Sequence, residues 1–368
     1  MLKLDAVVKK NNNNFNLIRL IAAVLVVYGH SFELFRNNGF EDPVKKILID
    51  DYSGSIAVYF FFFLSGIFIL MSFNTSKTFF SFLIKRVFRI WPALIICIFL
   101  TTILIGPLFT SLNISQYFQS YVTWRYLVKN ALLFKDYIKY LPGVFVNNHL
   151  SAVVNGSLWT LPTEIKCYFL IFLFGGLSLL KTKVNIAILF ILAIVLYLLN
   201  IDILLRFFLF SQAAKNFLFF IGGSLCYSWR KYIIVDFRLA LLLIISCIFL
   251  YHRSLFFPVF YLTLCYSVLT LGAANCILKI RLPGDYSYGI YIYGFLVQQI
   301  VQAMFPSLTS YCSLLITIPI TTALSVLSWH FIEFPANKKG HRIAEFYEKN
   351  FAIARIDATY KEKINTPR

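Results

Sequence analysis

Continuous apolar runs separated by short polar segments dominate the hydrophobic pattern of this chain. A helix needs about 20 apolar residues to cross a bilayer, and ten runs approach or reach that length. The ten predicted spans cover residues 15–35, 52–74, 88–111, 157–179, 184–201, 213–229, 238–251, 255–278, 286–306 and 309–333. A transmembrane β-barrel would instead alternate polar and apolar residues. The pattern therefore predicts an all-α fold: a polytopic membrane helical bundle of about ten transmembrane helices.

Composition and charge support this class and suggest an orientation. Hydrophobic residues make up 59% of the 368 residues and charged residues only 14%, too few polar groups to cover a soluble globule. The net charge of +18 would indicate nucleic acid in a soluble protein. With the N-terminus in the cytoplasm, inner segments hold 23 Lys and Arg and outer segments hold 10, as the positive-inside rule expects. We therefore predict cytoplasmic N and C termini and no nucleic-acid partner.

The polar ends divide the chain into three parts. Residues 1–14 are a predicted cytoplasmic tail, 15–335 the membrane domain, and 336–368 a second cytoplasmic tail. The longest non-spanning region, 112–156, contains a semi-apolar stretch that suggests a helix lying on the outer face or dipping back into the protein. The seven cysteines form no C-x-x-C pair, so no metal site is predicted.

Two ionisable residues share the first span, where burial of charge is costly. Arg19 and His30 are 11 residues apart, which places them on one face of a helix and about 16 Å apart along its axis. Arg19 would lie at the inner surface, either as a topology signal or as part of a site. His30 would lie near mid-membrane, either hydrogen-bonded to a neighbouring helix or acting as a base near neutral pH.

Two further groups are candidates for chemistry. Arg86 and Arg89 are three apart at the predicted start of the third span, where they either follow the positive-inside rule or bind a cytoplasmic anion. Glu164 lies in the fourth span at an estimated depth similar to that of His30, so the two side chains could meet. The alternative for Glu164 is a structural pair with a Lys or Arg, although Lys166 points to another face of the same helix.

Four strings in this order resemble the acyltransferase-3 family of integral membrane acyltransferases, of the O-antigen acetylase type, over residues 14–340. They are 14–23 (NFNLIRLIAA) followed by 29–31 (GHS); 63–66 (FLSG) followed by 85–92 (KRVFRIWP); 155–164 (NGSLWTLPTE); and 286–291 (YSYGIY) followed by 329–335 (WHFIEFP). Many members have a histidine after the fourth string, where this chain has Gly294.

The resemblance implies transfer of an acyl group, by default acetyl, from acyl-CoA to a hydroxyl of a cell-surface polysaccharide or lipid-linked sugar. It implies that Arg19, Arg86 and Arg89 bind the donor, which is a substrate rather than a resident cofactor. It also implies that His30 takes the hydroxyl proton or carries the acyl group, while Glu164 orients the imidazole or binds the sugar.

Three aromatic residues complete the predicted site as substrate-binding groups: Trp159, Tyr288 and Tyr291. For the two tyrosines, which lie in the ninth span, the alternative is an aromatic belt at the membrane interface. Two other functions stay open at this point, a transporter or flippase for a glycan or lipid-linked sugar, and a structural subunit of an envelope complex. The absence of a signal peptide and the family type predict a bacterial inner membrane.

Overall fold

A computed structural model describes residues 2–9, 13–36, 40–48, 51–133, 137–199, 207–208, 211–275, 280 and 282–365. Helices account for most of these residues, which makes the fold all-α. The helices are α1 (Leu4–Lys9), α2 (Phe15–Leu34), α3 (Pro43–Ile47), α4 (Ser53–Thr75), α5 (Phe79–Leu100), α6 (Gly106–Phe109), α7 (Ile114–Gln119), α8 (Tyr121–Leu132), α9 (Leu161–Gly176), α10 (Lys183–Leu198), α11 (Ser211–Ser228), α12 (Phe237–Leu250), α13 (Phe256–Ala273), α14 (Ser287–Met304), α15 (Ser310–Ser328) and α16 (Phe334–Asn365).

Three short segments with non-α hydrogen bonding interrupt the helices. π-helical turns at Thr101–Ile105 and Trp329–Glu333 join α5 to α6 and α15 to α16, and a 3-10 turn at Gly156–Thr160 leads into α9. The strands of the described residues are β1 (Leu2–Lys3) and β2 (Ile234–Val235), which pair antiparallel.

Within the described residues, six helical stretches are long and apolar enough to cross a membrane. They are Phe15–Leu34, Ser53–Thr75, Phe79–Phe109, Gly156–Gly176, Phe256–Ala273 and Ser310–Phe351. The helices α10 and α12 are apolar but shorter. Together with α11 and α14, these elements place a helix in each of the ten ranges predicted as spans. The chain is therefore a multi-pass membrane protein built as a helical bundle.

The third predicted span begins earlier than the hydrophobic pattern suggested. The side chain of Thr78 accepts a hydrogen bond from the backbone N–H of Ser81 and caps α5 at Phe79, rather than near residue 88. Arg86 and Arg89 therefore lie inside a helix and not at its start, and Pro92 lies in the helix interior. The prediction of a helix start at these arginines was wrong because the charged residues obscured two additional turns of helix.

Glycines let α4 and α11 approach each other closely. A Cβ at Gly66 would collide with the backbone carbonyl of Phe220, and a Cβ at Gly223 would collide with that of Phe63. Such small-residue contacts are typical of membrane helix pairs, in which van der Waals packing replaces the hydrophobic effect. Ser224 Oγ adds a hydrogen bond to Gly66 O at 3.2 Å. This pairing fixes α4, which lines both cavities described below.

The helix α14 lies at the centre of the bundle and is buried along most of its length, between α2 and α15. Gln298 Nε2 donates to the carbonyl oxygen of Val27 at 2.8 Å. Gly294 lies so close that an added Cβ would be 2.6 Å from Val27. The two helices are thus held in a register that puts the start of α14 beside Arg19 and its middle beside His30.

Two segments outside the long helices are folded onto the bundle. In region 112–156, Tyr117 and Tyr126 of α7 and α8 are buried, and Tyr117 Oη donates to Thr102 O at 2.8 Å. At the N-terminus, where a tail was predicted, Leu4 and Val7 of α1 are buried. Arg230 Nε donates to Asp5 at 2.8 Å beside the β1–β2 pair.

Candidate active site

The predicted arginines line one cavity of about 120 Å³, here called the arginine cavity. Arg19 comes from α2, and Arg86 and Arg89 come from α5. The rest of the lining is Val58, Phe61, Phe62, Ser65, Phe68, Ile69, Ile90, Thr160, Leu161, Glu164, Tyr168, Ser287, Tyr288 and Tyr291. The bundle therefore brings together three cations from two helices whose sequence positions are far apart.

Two of the three guanidinium groups already have carboxylate partners. Arg89 lies 2.6 Å from Asp285 and 3.5 Å from Glu333, and Arg19 lies 3.8 Å from the same Asp285 oxygen. Burial raises the pKa of Asp285, but the charges of Arg89 and Arg19 more than offset this and hold that pKa below its ordinary value. Asp285 therefore stays ionised and fixes both arginines at the wall of the cavity.

Arg86 is the least satisfied cation of the three. One of its terminal nitrogens donates to Ser72 Oγ at a long 3.4 Å. Its Nε is buried and has no hydrogen-bond partner within the described part of the chain. A buried donor left unpaired costs about 1–3 kcal/mol, so this nitrogen is a natural contact for an anionic ligand.

Glu164 belongs to the arginine cavity and not to the surroundings of His30. The Tyr168 hydroxyl donates to its carboxylate one turn further along α9. The sequence-based idea that Glu164 and His30 meet is therefore corrected, and the alternative of a Glu set among arginines fits. The 3-10 turn Gly156–Thr160 is the physical reason, because α9 begins only at Leu161 and Glu164 lies in its first turn. Lys166 points elsewhere and donates to Phe207 O at 2.6 Å.

His30 lines a second cavity of about 210 Å³, here called the histidine cavity. The other lining residues are Val26, Tyr52, Ser55, Val58, Ser157, Trp159, Gln212 and Tyr291. The imidazole contacts Phe295 edge-to-face with ring centroids 5.1 Å apart. Within the described residues, His30 Nδ1 and Ser157 Oγ are buried without hydrogen-bond partners. The cavity thus combines a histidine with neutral hydrogen-bonding groups and aromatic rings.

Glu33, one turn beyond His30, does not orient the imidazole. Its carboxylate pairs with Arg36 and lies 3.4 Å from Lys45 Nζ at the exposed end of α2. A general base positioned by a carboxylate would need that group within hydrogen-bond reach of the ring.

The two cavities are neighbours that share two lining residues, Val58 and Tyr291. The Tyr291 hydroxyl donates to Ser157 O at 2.9 Å and is also hydrogen-bonded to Thr160 Oγ1. The predicted substrate-binding aromatics are thus divided between the cavities. Trp159 lines the histidine cavity, Tyr291 the boundary, and Tyr288 the arginine cavity, where its hydroxyl donates to Ile90 O at 2.9 Å.

The structure adds residues that sequence reasoning missed. Asp285 directly precedes the YSYGIY string and could have been found as the acid nearest to it, and Glu333 is the acidic residue of the WHFIEFP string. Glu333 is buried, accepts from Ser328 Oγ at 2.9 Å and faces Arg89.

A second polar cluster supports the histidine cavity from behind. Gln212 Nε2 donates to Tyr59 Oη at 2.8 Å, and Tyr59 donates to Asp51 at 2.5 Å. Lys215 and Tyr261 also donate to Asp51, at 2.9 and 2.7 Å. Burial raises the pKa of Asp51, but these three donors more than offset it and lower that pKa below its ordinary value. No short-range pattern in the sequence signals this cluster, because its members come from three helices and a loop.

The chain is similar to known proteins. A family model described as an acyltransferase domain matches residues 12–330. The chain is 28% identical over 336 residues to an O-acetyl transferase of Shigella phage Sf6, covering 88% of this chain and 95% of that protein. It is 30% identical over 162 residues to nodulation protein 10 of Rhizobium leguminosarum bv. viciae, covering 43% and 42% of the two chains. No solved structure matches the chain.

Proposed function

The chain is an acyltransferase that belongs to the acyltransferase-3 family, and we propose that it moves an acetyl group from acyl-CoA to a hydroxyl of a cell-surface polysaccharide or lipid-linked sugar. The observation that carries the proposal is the pair of adjoining cavities, one lined by arginines and one by a histidine whose Nδ1 has no hydrogen-bond partner among the described residues. The name of the phage relative supports acetyl as the group transferred and a hydroxyl oxygen as its acceptor.

We place this reaction across a bacterial inner membrane. Ten spans with both termini in the cytoplasm would follow the charge distribution of 23 inner and 10 outer Lys and Arg. Residues 15–335 would form the membrane acyltransferase domain, with 1–14 and 336–368 on the cytoplasmic side. In this orientation the arginine cavity lies toward the cytoplasm, where acyl-CoA is made, and the histidine cavity lies toward the outer face.

Coenzyme A is a polyanion, and guanidinium groups bind phosphate through charge-assisted hydrogen bonds. Arg86 would be the principal contact, because its Nε has no partner in the described chain. Arg19 and Arg89 would contribute their remaining N–H groups while Asp285 and Glu333 hold them in place. The extended pantetheine arm would then carry the thioester past Tyr291 toward His30.

The transfer step would take place in the histidine cavity. The acceptor hydroxyl attacks the thioester carbonyl carbon while His30 takes the hydroxyl proton. The tetrahedral intermediate then collapses, the C–S bond breaks, and the departing thiolate takes the proton from His30. In a covalent alternative, His30 first attacks the carbonyl carbon, the C–S bond breaks, and the coenzyme A thiol leaves with the imidazole proton. The acceptor hydroxyl then displaces the acyl group from the imidazole, which takes the hydroxyl proton.

The histidine cavity suits a sugar acceptor. Trp159 and Tyr52 offer aromatic faces, while Ser55, Ser157 and Gln212 offer hydrogen bonds to hydroxyl groups. Gln212 is held by Tyr59 and the Asp51 cluster, so its amide is positioned before the acceptor arrives. Preorganised polar groups of this kind reduce the entropy lost on binding.

The test is a mass spectrum of surface glycans from cells that carry wild-type protein or His30→Ala at equal abundance. We expect an acyl increment on a glycan in wild-type cells and its loss in the variant. Asn185→Ala, at a half-buried position on α10 that lines neither cavity, serves as a control that should keep the increment. Identical acylated spectra from wild type and His30→Ala would remove His30 from the chemistry.

A further inference from the structure

Val58 and Tyr291 form the boundary between the two cavities, since they are the residues common to both linings. Val58 comes from α4 and Tyr291 from α14. If the donor binds in the arginine cavity and reacts in the histidine cavity, its acyl group has to pass between these two side chains.

Tyr291 is the fixed side of this boundary. Its hydroxyl donates its one proton to Ser157 O and therefore accepts from Thr160 Oγ1. Its ring also packs edge-to-face on Phe61, with centroids 5.7 Å apart. Two hydrogen bonds to the 3-10 turn Gly156–Thr160 and one ring contact with α4 hold the ring, so it has little freedom to turn aside.

Val58 forms the other side of the boundary, and substitutions of this residue can change the width between it and Tyr291. It is an apolar, β-branched residue inside a helix, where one rotamer predominates, so its two methyl groups occupy defined positions. The position has no polar partner to maintain, and both cavities lie against it. Adding or removing carbon atoms here changes the width of the boundary without touching Arg86 or His30.

We propose that Val58 determines the size of the acyl group that this enzyme transfers, by setting the width of the passage opposite Tyr291. The inference rests on the proposed function and adds the substrate class, a short-chain acyl thioester. Discrimination between ligands that differ by a methylene in an apolar pocket amounts to roughly 10- to 200-fold. Protein interiors are close-packed, so a change of one or two carbon atoms at Val58 is expected to alter which acyl groups can pass.

The experiment uses membrane vesicles with the full-length protein and their own glycans, supplied with an equimolar mixture of acetyl-CoA and butyryl-CoA. Mass spectrometry gives the ratio of butyryl to acetyl groups on the glycan. We expect wild type to transfer mainly acetyl and Val58→Ala to raise the ratio roughly tenfold. Val58→Ile, with one additional methylene, should lower the rate of acetyl transfer and reduce the butyryl-to-acetyl ratio below that of wild type. Neither variant should change the amount of acyl-CoA bound.

The matched control is Val268→Ala, which removes the same two methyl groups from a buried site on α13 that lines neither cavity. It should keep the wild-type ratio. An active Val58→Ala enzyme with the wild-type ratio would overturn the inference and leave the proposed function intact. If Val58→Ala does not fold, Val58→Ile decides, and an unchanged ratio and rate in that variant would overturn it. A wild-type enzyme that acylates no glycan with either donor would overturn the proposed function and this inference with it.

Discussion

The arginine cavity and the histidine cavity adjoin each other but differ in the charge of the residues that line them. At the first, Arg19 and Arg89 pair with Asp285, Arg89 also pairs with Glu333, and Glu164 lines the cavity beside Arg86. Among the described residues, no Asp, Glu, Lys or Arg lines the second, where buried polar atoms of His30 and Ser157 are left unpaired. The difference is that carboxylates offset the buried charge of two arginines at the first cavity, whereas the lining of the second holds a histidine among neutral polar and aromatic groups.

This contrast follows from the energetics of burial. Removing one partner of a buried ion pair costs about 3–5 kcal/mol, so the arginines could not be assembled without Asp285 and Glu333. An unpaired neutral donor or acceptor costs about 1–3 kcal/mol, a penalty that a bound substrate can relieve. If the arginine cavity binds the donor and the histidine cavity carries out the transfer, substitutions in the two cavities should change different kinetic quantities.

The largest effect is expected for His30. A general base contributes about 10²–10⁴-fold to a rate, so His30→Gln should lower acyl transfer by about that factor. Because His30 is outside the arginine cavity, the Kd of the purified variant for radiolabelled acetyl-CoA should stay within about twofold of the wild-type value. A twofold change in Kd is well below the tenfold change that corresponds to about 1.4 kcal/mol of binding free energy. A variant that loses donor binding in parallel with transfer would contradict the separation of roles.

Asp285→Asn should be the most destabilising change at the arginine cavity, by about 3–5 kcal/mol, because it leaves Arg89 and Arg19 without their shared carboxylate. The folded-state pKa of Asp285 is held below its ordinary value of 3.8, so its stabilisation is present above that pH. It is lost only as the pH falls through the lower folded-state pKa. Thermal unfolding in detergent should therefore show the same loss at pH 7 and pH 5.

Glu345→Gln, at an exposed carboxylate of α16, is the control for Asp285→Asn and should unfold like wild type. A defect in Asp285→Asn that faded between pH 7 and pH 5 would mean that the carboxylate is already being protonated in that range.

Arg86→Gln should weaken the donor site while preserving the chemical step. A hydrogen bond to a charged group contributes about 1.5–3 kcal/mol, so the KM for acetyl-CoA should rise by about 10- to 100-fold with kcat nearly unchanged. Arg238→Gln, at an exposed position on α12, is the matched control. Equal KM values for both variants would show that Arg86 does not contact the donor.

Glu164→Gln should have the smallest effect and distinguishes two roles for this residue. In the arginine cavity it influences the donor, so we expect a change of a few-fold in the KM for acetyl-CoA, in the range of about 1 kcal/mol for one hydrogen bond. The pH dependence of kcat should match wild type, and Tyr168→Phe should reproduce the effect. A shifted pH profile of kcat would instead mean that Glu164 acts on His30.

Much of the fold could be predicted from sequence because helix formation in a membrane is a local property. Each of the ten predicted ranges contains a helix. Arg19 and His30 both belong to α2 and line adjoining cavities, as expected for two residues on one face of a helix. The start of α5 was misplaced because capping by Thr78 depends on one side chain and not on average hydropathy. The N-terminal segment gave no periodic signal, and its helix and strand form against β2 and the bundle.

The sequence by itself determined where the ten long apolar helices lie and that Arg19 shares a face with His30 and Arg86 with Arg89, because side-chain direction along a helix repeats every 3.6 residues. Only the tertiary structure decided which groups meet. It placed Glu164 with the arginines and brought Asp285 to Arg89 and Val58 opposite Tyr291. Those contacts depend on the axial offset and rotation of neighbouring helices, which are set by close contacts such as Gly66 on Phe220 and by non-α turns such as Gly156–Thr160.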